Sequence, residues 1–297
     1  MVPLRFAYGH LGSLPPRLAY ANARSRSYSP TFNAPHSCLH TPLAQVPSLH
    51  QLNSLSSEQA VQVSIYIDSL LDWNQRMNLT AVTERSSIME RHIADSLALL
   101  PVMETTFGKY NPTTIGDSLK VVDVGSGAGL PGIILAIARP SWEVTLLESL
   151  QKRCNFLAHV IEALSLDNVK LVRARAEDAG HDMSFRECFD VSVARAVAEM
   201  RVLVELCLPF VRVGGLLVAA KGANPEEEVK AAKGAAHLLG ASILPIARVT
   251  SLSPNGQRTA ILCHKERATP KRGFKMLCPY ATLQGLLMDF PRFKRLY

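Results

Sequence analysis

Residues 119–148, LKVVDVGSGAGLPGIILAIARPSWEVTLLE, decide the fold. Residues 119–124 hold three valines and one acid, Asp123, a composition that suits a short buried parallel strand. Gly125, Gly127 and Gly129 then alternate. Such a turn lets the backbone take positive φ and come close to a ligand. Pro131 stands where a helix should begin, and residues 133–138 supply the helix. Residues 142–147 read as a second buried strand closed by Glu148. The whole is one βαβ unit with an acid about twenty residues after the glycines, where such an acid commonly holds ribose hydroxyls.

Two cofactors fit this unit. Gly127, Gly129 and Gly132 satisfy G-x-G-x-x-G, the dinucleotide fingerprint of a dehydrogenase. Counted from Gly125 the loop reads G-S-G-A-G, closer to the loop of S-adenosylmethionine-dependent methyltransferases. A bare turn with no ligand is the plain alternative. Three alternating glycines cost backbone entropy that such a turn need not spend.

Outward from the unit, helices and strands keep alternating. Residues 151–164 read as a helix and 168–172 as a third strand. Residues 189–193 make a fourth strand, ending in Ala194-Arg195-Ala196. A helix then runs to Leu208, and residues 216–220 form a fifth strand before Lys221-Gly222. Residues 226–239 read as a charged helix. Residues 241–249 and 259–264 are the last strands, joined by a turn at Ser253-Pro254-Asn255-Gly256. The expected fold is α/β: a Rossmann-like, mostly parallel, doubly wound sheet with an antiparallel edge supplied by the last hairpin. Ahead of it, residues 51–107 form a helical cap. Its first helix opens at Ser56-Ser57-Glu58 and carries Val63, Ile67, Leu70 and Leu71 on one face. A second helix runs from about 86 to 100, stopped by Pro101, with a loop at 108–118. On that second helix His92 and Asp95 share a face, and their spacing predicts a hydrogen bond that ties helix to sheet.

The chain has 297 residues, 47% of them hydrophobic, enough for a sizeable core. No apolar run approaches a membrane span. Six scattered cysteines without a C-x-x-C pair argue against a zinc site or a disulfide scaffold. The net charge of +7 is uneven. Residues 1–57 carry four arginines and no acid, and residues 265–297 carry eight Lys or Arg against two acids. The body between them is slightly acidic, so the global charge by itself says nothing about nucleic acid. Residues 1–50, rich in Ser and Pro with Arg5, Arg17, Arg24 and Arg26, read as a transit peptide. The serines and prolines favour a plastid, with a mitochondrion as the alternative; without import the chain would be cytoplasmic.

The residues then meet a family. W-N-Q-R-M-N-L-T from Trp73, R-H-I-A-D-S-L from Arg91 and V-D-V-G-S-G-A-G-L-P-G from Val122 carry the resemblance. So do L-L-E-S-L-Q-K-R-C-N-F-L from Leu146, R-A-E-D from Arg175, F-D-V-S-V-A-R-A from Phe189 and the pair Lys221-Gly222. Over residues 52–265 the chain resembles the bacterial small-subunit ribosomal RNA guanine-N7 methyltransferases, also called glucose-inhibited division protein B. The resemblance implies a class I methyltransferase domain over 108–265 that binds S-adenosyl-L-methionine. Gly125, Gly127 and Leu130 would belong to the cofactor loop, Glu148 to the ribose, Ala176 and Glu177 to the adenine. Arg195 would stand at the cofactor, and Arg195 with Lys221 could hold phosphates or the guanine O6. Asn78, Thr80, His92 and Asp95 would face the RNA substrate from the cap. The chain departs from the family after Thr269-Pro270, where residues 266–297 continue as a basic extension.

The implied reaction is methyl transfer to N7 of a guanine in small-subunit ribosomal RNA, free or in a subunit precursor. No metal, membrane or second subunit is implied. N7 of neutral guanine carries a lone pair and no proton, so no general base is expected. The alternatives are an assembly factor that keeps the fold without turnover, and a methyltransferase for another RNA.

Overall fold

The computed structural model describes residues 55–112, 118–195, 198–249 and 258–270. The leader, the turn at 253–256 and the extension beyond 270 lie outside the described residues.

Helix α1 (Ser57–Asn74) begins with a capping box: Ser56 Oγ accepts from Gln59 N, and Gln59 Oε1 accepts from Ser56 N. Next come α2 (Arg85–Ile88), a π-helical segment (Met89–Ala94), α3 (Asp95–Leu97) and α4 (Leu99–Tyr110). Pro101 does not stop the second helix; it sits in the first turn of α4, where a missing N–H costs nothing. Helix α4 therefore takes in the first three residues of the expected 108–118 loop, Gly108 to Tyr110.

The rest follows the expected alternation. It comprises β1 (Lys120–Val124), α5 (Gly132–Ala138), β2 (Glu143–Glu148), α6 (Gln151–Ala163), β3 (Val169–Arg173) and α7 (Ala176–Ala179). Then come β4 (Phe189–Arg195), α8 (Met200–Cys207), β5 (Val211–Lys221) and α9 (Glu226–Leu238). Last are β6 (Ala241–Ile243), β7 (Ala247–Val249) and β8 (Arg258–Lys265). The expected strand over 241–249 is two strands, because Pro245 between them cannot donate to a ladder.

The sheet order is β3-β2-β1-β4-β5-β8-β6, with β7 also on β8. Strands β1 to β5 are mutually parallel. Strand β8 runs antiparallel to β5 and slots between it and the edge pieces β6 and β7. Side chains alternate between two cores. Val121, Leu146, Leu216 and Val218 face the cap, α5 and α6, whereas Val122, Leu147, Leu217 and Ala219 face α8 and α9. The cap shares the first core with the sheet. Strand order reverses between β1 and β4, which opens a crevice at their carboxyl ends.

Candidate active site

The glycine loop closes that crevice from below. Gly125, Gly127 and Gly129 have φ of 72°, 58° and 83°, where a side chain would be strained. A Cβ on Gly132 would lie 2.4 Å from Leu146 Cδ2, so this glycine lets α5 press against the sheet. Gly125 N and Ser126 N both donate to Leu147 O, at 2.9 and 3.1 Å. Glu148, 3% exposed, holds the loop from β2: its Oε2 accepts from Gly127 N at 2.9 Å. Its Oε1 accepts from Ser149 N and Leu150 N, and Arg153 stands 3.7 Å from Oε2. Leu130 has its side chain in the core and shapes the loop from beneath. Ala176 and Glu177 start α7 directly after β3, beside Glu148, whose carbonyl accepts from Ala174 N at 3.2 Å.

Asp123 is a buried carboxyl at the end of β1. Its Oδ2 accepts from Gly132 N at 2.9 Å, and its Oδ1 has no hydrogen-bond partner among the described residues. Burial pushes its pKa up to about 7, against smaller stabilising effects that include the nearby Arg195. Arg195 ends β4 and is drawn below the usual arginine value by desolvation, while Tyr66, Asp95 and Asp123 favour its charge. Tyr66, fully buried on α1, donates its hydroxyl to Ala128 O at 2.7 Å.

The cap side is built on hydrogen bonds that the sequence did not announce. Asn74 Oδ1 accepts from Leu79 N and Thr80 N, and its Nδ2 donates to Thr80 O. These bonds fold Asn78 outward at the rim of a shallow pocket that it shares with Leu79, Thr80 and Ala81. His92 lies in the π-helical segment and pairs through Nε2 with Thr80 Oγ1 at 2.8 Å, not with Asp95. A π segment re-aims side chains and is frequent at functional sites. Burial first, and then Arg195, bring the His92 pKa down to about 3, so the ring is neutral. Asp95 instead pairs with Arg258 Nε at 2.9 Å. The tie from cap to sheet thus exists, but its partner is the first residue of β8, 163 positions away.

The geometry gives Lys221 another task than meeting substrate. Its ammonium donates to Ala198 O at 2.5 Å and to Glu228 Oε2 at 2.6 Å, and Glu228 also accepts from Met200 N. Lys221 therefore pins the segment after Arg195 to α9. Tyr66 and Arg258 are the residues missed. Nothing local to α1 marks the Tyr66 hydroxyl, and nothing local to β8 marks Arg258.

S-adenosylmethionine suits these residues. Glu148 Oε2 has a lone pair left for a ribose hydroxyl. The orphaned Asp123 oxygen and the Arg195 guanidinium match the ammonium and carboxylate of an amino acid. An antiparallel strand inside the far edge of the sheet belongs to methyltransferases and not to dehydrogenases, which removes the dinucleotide reading. Among the described residues no His, Cys, Asp and Glu group could hold a metal. Fold and crevice together are those of a class I, S-adenosylmethionine-dependent methyltransferase.

Comparison with known proteins narrows this. The family described as rRNA small subunit methyltransferase G, GidB, matches residues 59–254. The ribosomal RNA small subunit methyltransferase G of Moorella thermoacetica is 41% identical over 73% of this chain and 86% of its own. That of Acetivibrio thermocellus is 42% identical over 74% and 86%, and that of Bacillus cereus 40% over 74% and 87%. The chain belongs to the rRNA small subunit methyltransferase G family.

Proposed function

We propose that the protein transfers the methyl group of S-adenosylmethionine to N7 of a guanine in small-subunit ribosomal RNA. Family membership names the reaction, and one observation of the crevice carries its chemistry: the Nε2 of His92 is engaged by Thr80 Oγ1 at 2.8 Å, so the ring is spoken for structurally. The bound cofactor supplies an electrophilic methyl. Glu148 and the glycine loop orient the ribose end, and Asp123 with Arg195 orients the amino-acid end. Catalysis then rests on proximity and alignment, worth roughly 7–11 kcal/mol. A neutral His92 neither removes a proton, since N7 has none, nor adds a cation beside a purine that becomes cationic on methylation. Asn78 and Thr80 face the RNA from the cap.

The Arg- and Ser-rich, acid-free leader supports import into a plastid. A fluorescent protein fused behind residues 1–50 tests this by where it accumulates. Among the described residues no helix is long and apolar enough to cross a membrane. The deciding experiment for function supplies radiolabelled S-adenosylmethionine and under-modified organelle small-subunit RNA to a chain starting at Leu52. The label is expected on one guanine, at N7. Label on an exocyclic amine, or no transfer to free RNA or to subunit precursors, would defeat the proposal.

A further inference from the structure

Helix α1 is fastened to the catalytic body by three side chains on one stripe. Gln59 Nε2 donates to Ile137 O at 2.8 Å, at the end of α5. Gln62 Nε2 donates to Leu164 O at 3.1 Å, at the end of α6. Tyr66 reaches Ala128 O, in the middle of the glycine loop. Positions 59, 62 and 66 follow helical spacing. Helix α1 thus runs back along α5, from its carboxyl end to the loop that precedes it. The loop is held on two sides: Gly127 N donates to Glu148 on the sheet, and Ala128 O accepts a hydrogen bond from Tyr66 on the cap. The Tyr66 ring is fully buried in the core it shares with Ala128, Leu130 and Ile133. Ala128 is 7% exposed, so its carbonyl has little access to water in place of the hydroxyl.

We propose that Tyr66 is a positioning residue for the cofactor, fixing the glycine loop from the cap in its binding conformation. A loop with three positive-φ glycines has many alternatives open to it, and ordering it on binding costs affinity. A hydroxyl that fixes one carbonyl beforehand removes part of that cost. Two turns beyond Tyr66, the same helix ends in Asn74, which organises the rim at Leu79 and Thr80. The cofactor loop and the substrate-side loop are therefore both anchored to one helix. The inference rests on the reading of this loop as the S-adenosylmethionine site.

The test compares Tyr66→Phe with Gln62→Ala, a variant that loses a bond of the same type from the same helix but away from the loop. Calorimetry with S-adenosylmethionine should show Kd raised about tenfold in Tyr66→Phe, the scale of one hydrogen bond. It should stay within about twofold of wild type in Gln62→Ala, although that variant also loses thermal stability. At saturating cofactor the turnover number of Tyr66→Phe should remain near wild type, so that the loss falls on binding. Amide exchange at residues 127–129 of the ligand-free protein should quicken in Tyr66→Phe and stay unchanged in Gln62→Ala. Should Tyr66→Phe fold poorly, Tyr66→Met serves in its place with the same expectation. Wild-type affinity in the tyrosine variants, or an equal loss in Gln62→Ala, would overturn the inference. Absence of S-adenosylmethionine binding by the wild type would overturn the cofactor reading itself.

Discussion

The two ends of the sheet treat their polar groups differently. At the amino end, polar groups are paired. Both oxygens of Asp190 are taken, one by Arg212 Nε at 2.6 Å and the other by Lys120 N at 2.8 Å. Arg212 lies over the Phe107 ring, and Asn111 reaches Gly214 O. Tyr110 stacks on His264 at 3.9 Å. Even Lys265, fully buried, has Leu208 O, Thr269 Oγ1 and Glu187 around it. At the carboxyl end, Asp123 Oδ1, His92 Nδ1 and Arg91 Nε are buried without partners among the described residues. There too the backbone takes three positive-φ turns. One end spends its polar groups on stability; the other keeps some unsatisfied, which is what a binding site requires.

Substitutions at the two ends should therefore fail in different ways. The largest effect is expected from Gly127→Val. No clash awaits its Cβ, whose nearest neighbour would be Gly125 O at 3.8 Å, but φ of 58° is hostile to a β-branched residue. Calorimetry should show cofactor binding weakened about hundredfold or more, with the circular dichroism spectrum retained. Unchanged affinity in a folded variant would remove the loop from the site.

Lys265→Met probes the opposite end. It takes the buried ammonium away from Leu208 O, Thr269 Oγ1 and the partly exposed Glu187, and losing such charged hydrogen bonds costs about 2 kcal/mol. Urea unfolding should show that loss while cofactor affinity stays within about twofold. A large change in affinity would mean that the ends are not separate.

Asp123→Asn sharpens the contrast through pH. The folded pKa of Asp123 is raised from 3.8 to about 7, so the native state binds more protons than the unfolded chain across that window. Its contribution to stability is present below 3.8 and is lost as pH rises to about 7. The ligand-free asparagine variant should flatten that decline and, at pH 8, exceed wild type by about 1 kcal/mol. It should also bind cofactor less tightly. A variant less stable than wild type at pH 8 would show that the charge is compensated by something other than ligand.

The smallest effect is expected from His92→Gln. With its pKa near 3 the imidazole does not titrate in the working range. Single-turnover transfer at saturating cofactor should stay flat with pH across neutrality, and the variant should lose less than about tenfold, 1.4 kcal/mol. A one-proton fall in rate near pH 6.5 that vanishes in the variant would make His92 a base after all.

How much of this was legible in the sequence depended on the range of the interaction. The βαβ unit, its positive-φ glycines and the closing acid are local features, and they stand where expected. So does the alternation that builds the sheet, because short continuous apolar runs with glycine and proline boundaries are written within about ten residues. Pro101 misled, since proline is as welcome in a first turn as it is forbidden in an interior, and only the packing of Met103 and Phe107 decides which. His92 and Asp95 were wrongly paired, because a π segment changes the angle between them and Arg258 arrives from a distant strand. Lys221 is held by Glu228 across the β5–α9 turn and by Ala198 from the segment between β4 and α8, neither of which is marked in the sequence around it.

The place of β8 in the sheet bears on the order in which the molecule can be finished. Strands β6 and β7 pair only with β8, although both precede it in the chain. A chain emerging amino end first would expose the eleven-residue β5 as an open edge until residue 265 is free to insert. That insertion also brings Arg258 to Asp95 of the cap. Completion of the β5 flank therefore waits on residues 258–265, and truncation ahead of Arg258 should leave an exposed strand edge that favours aggregation.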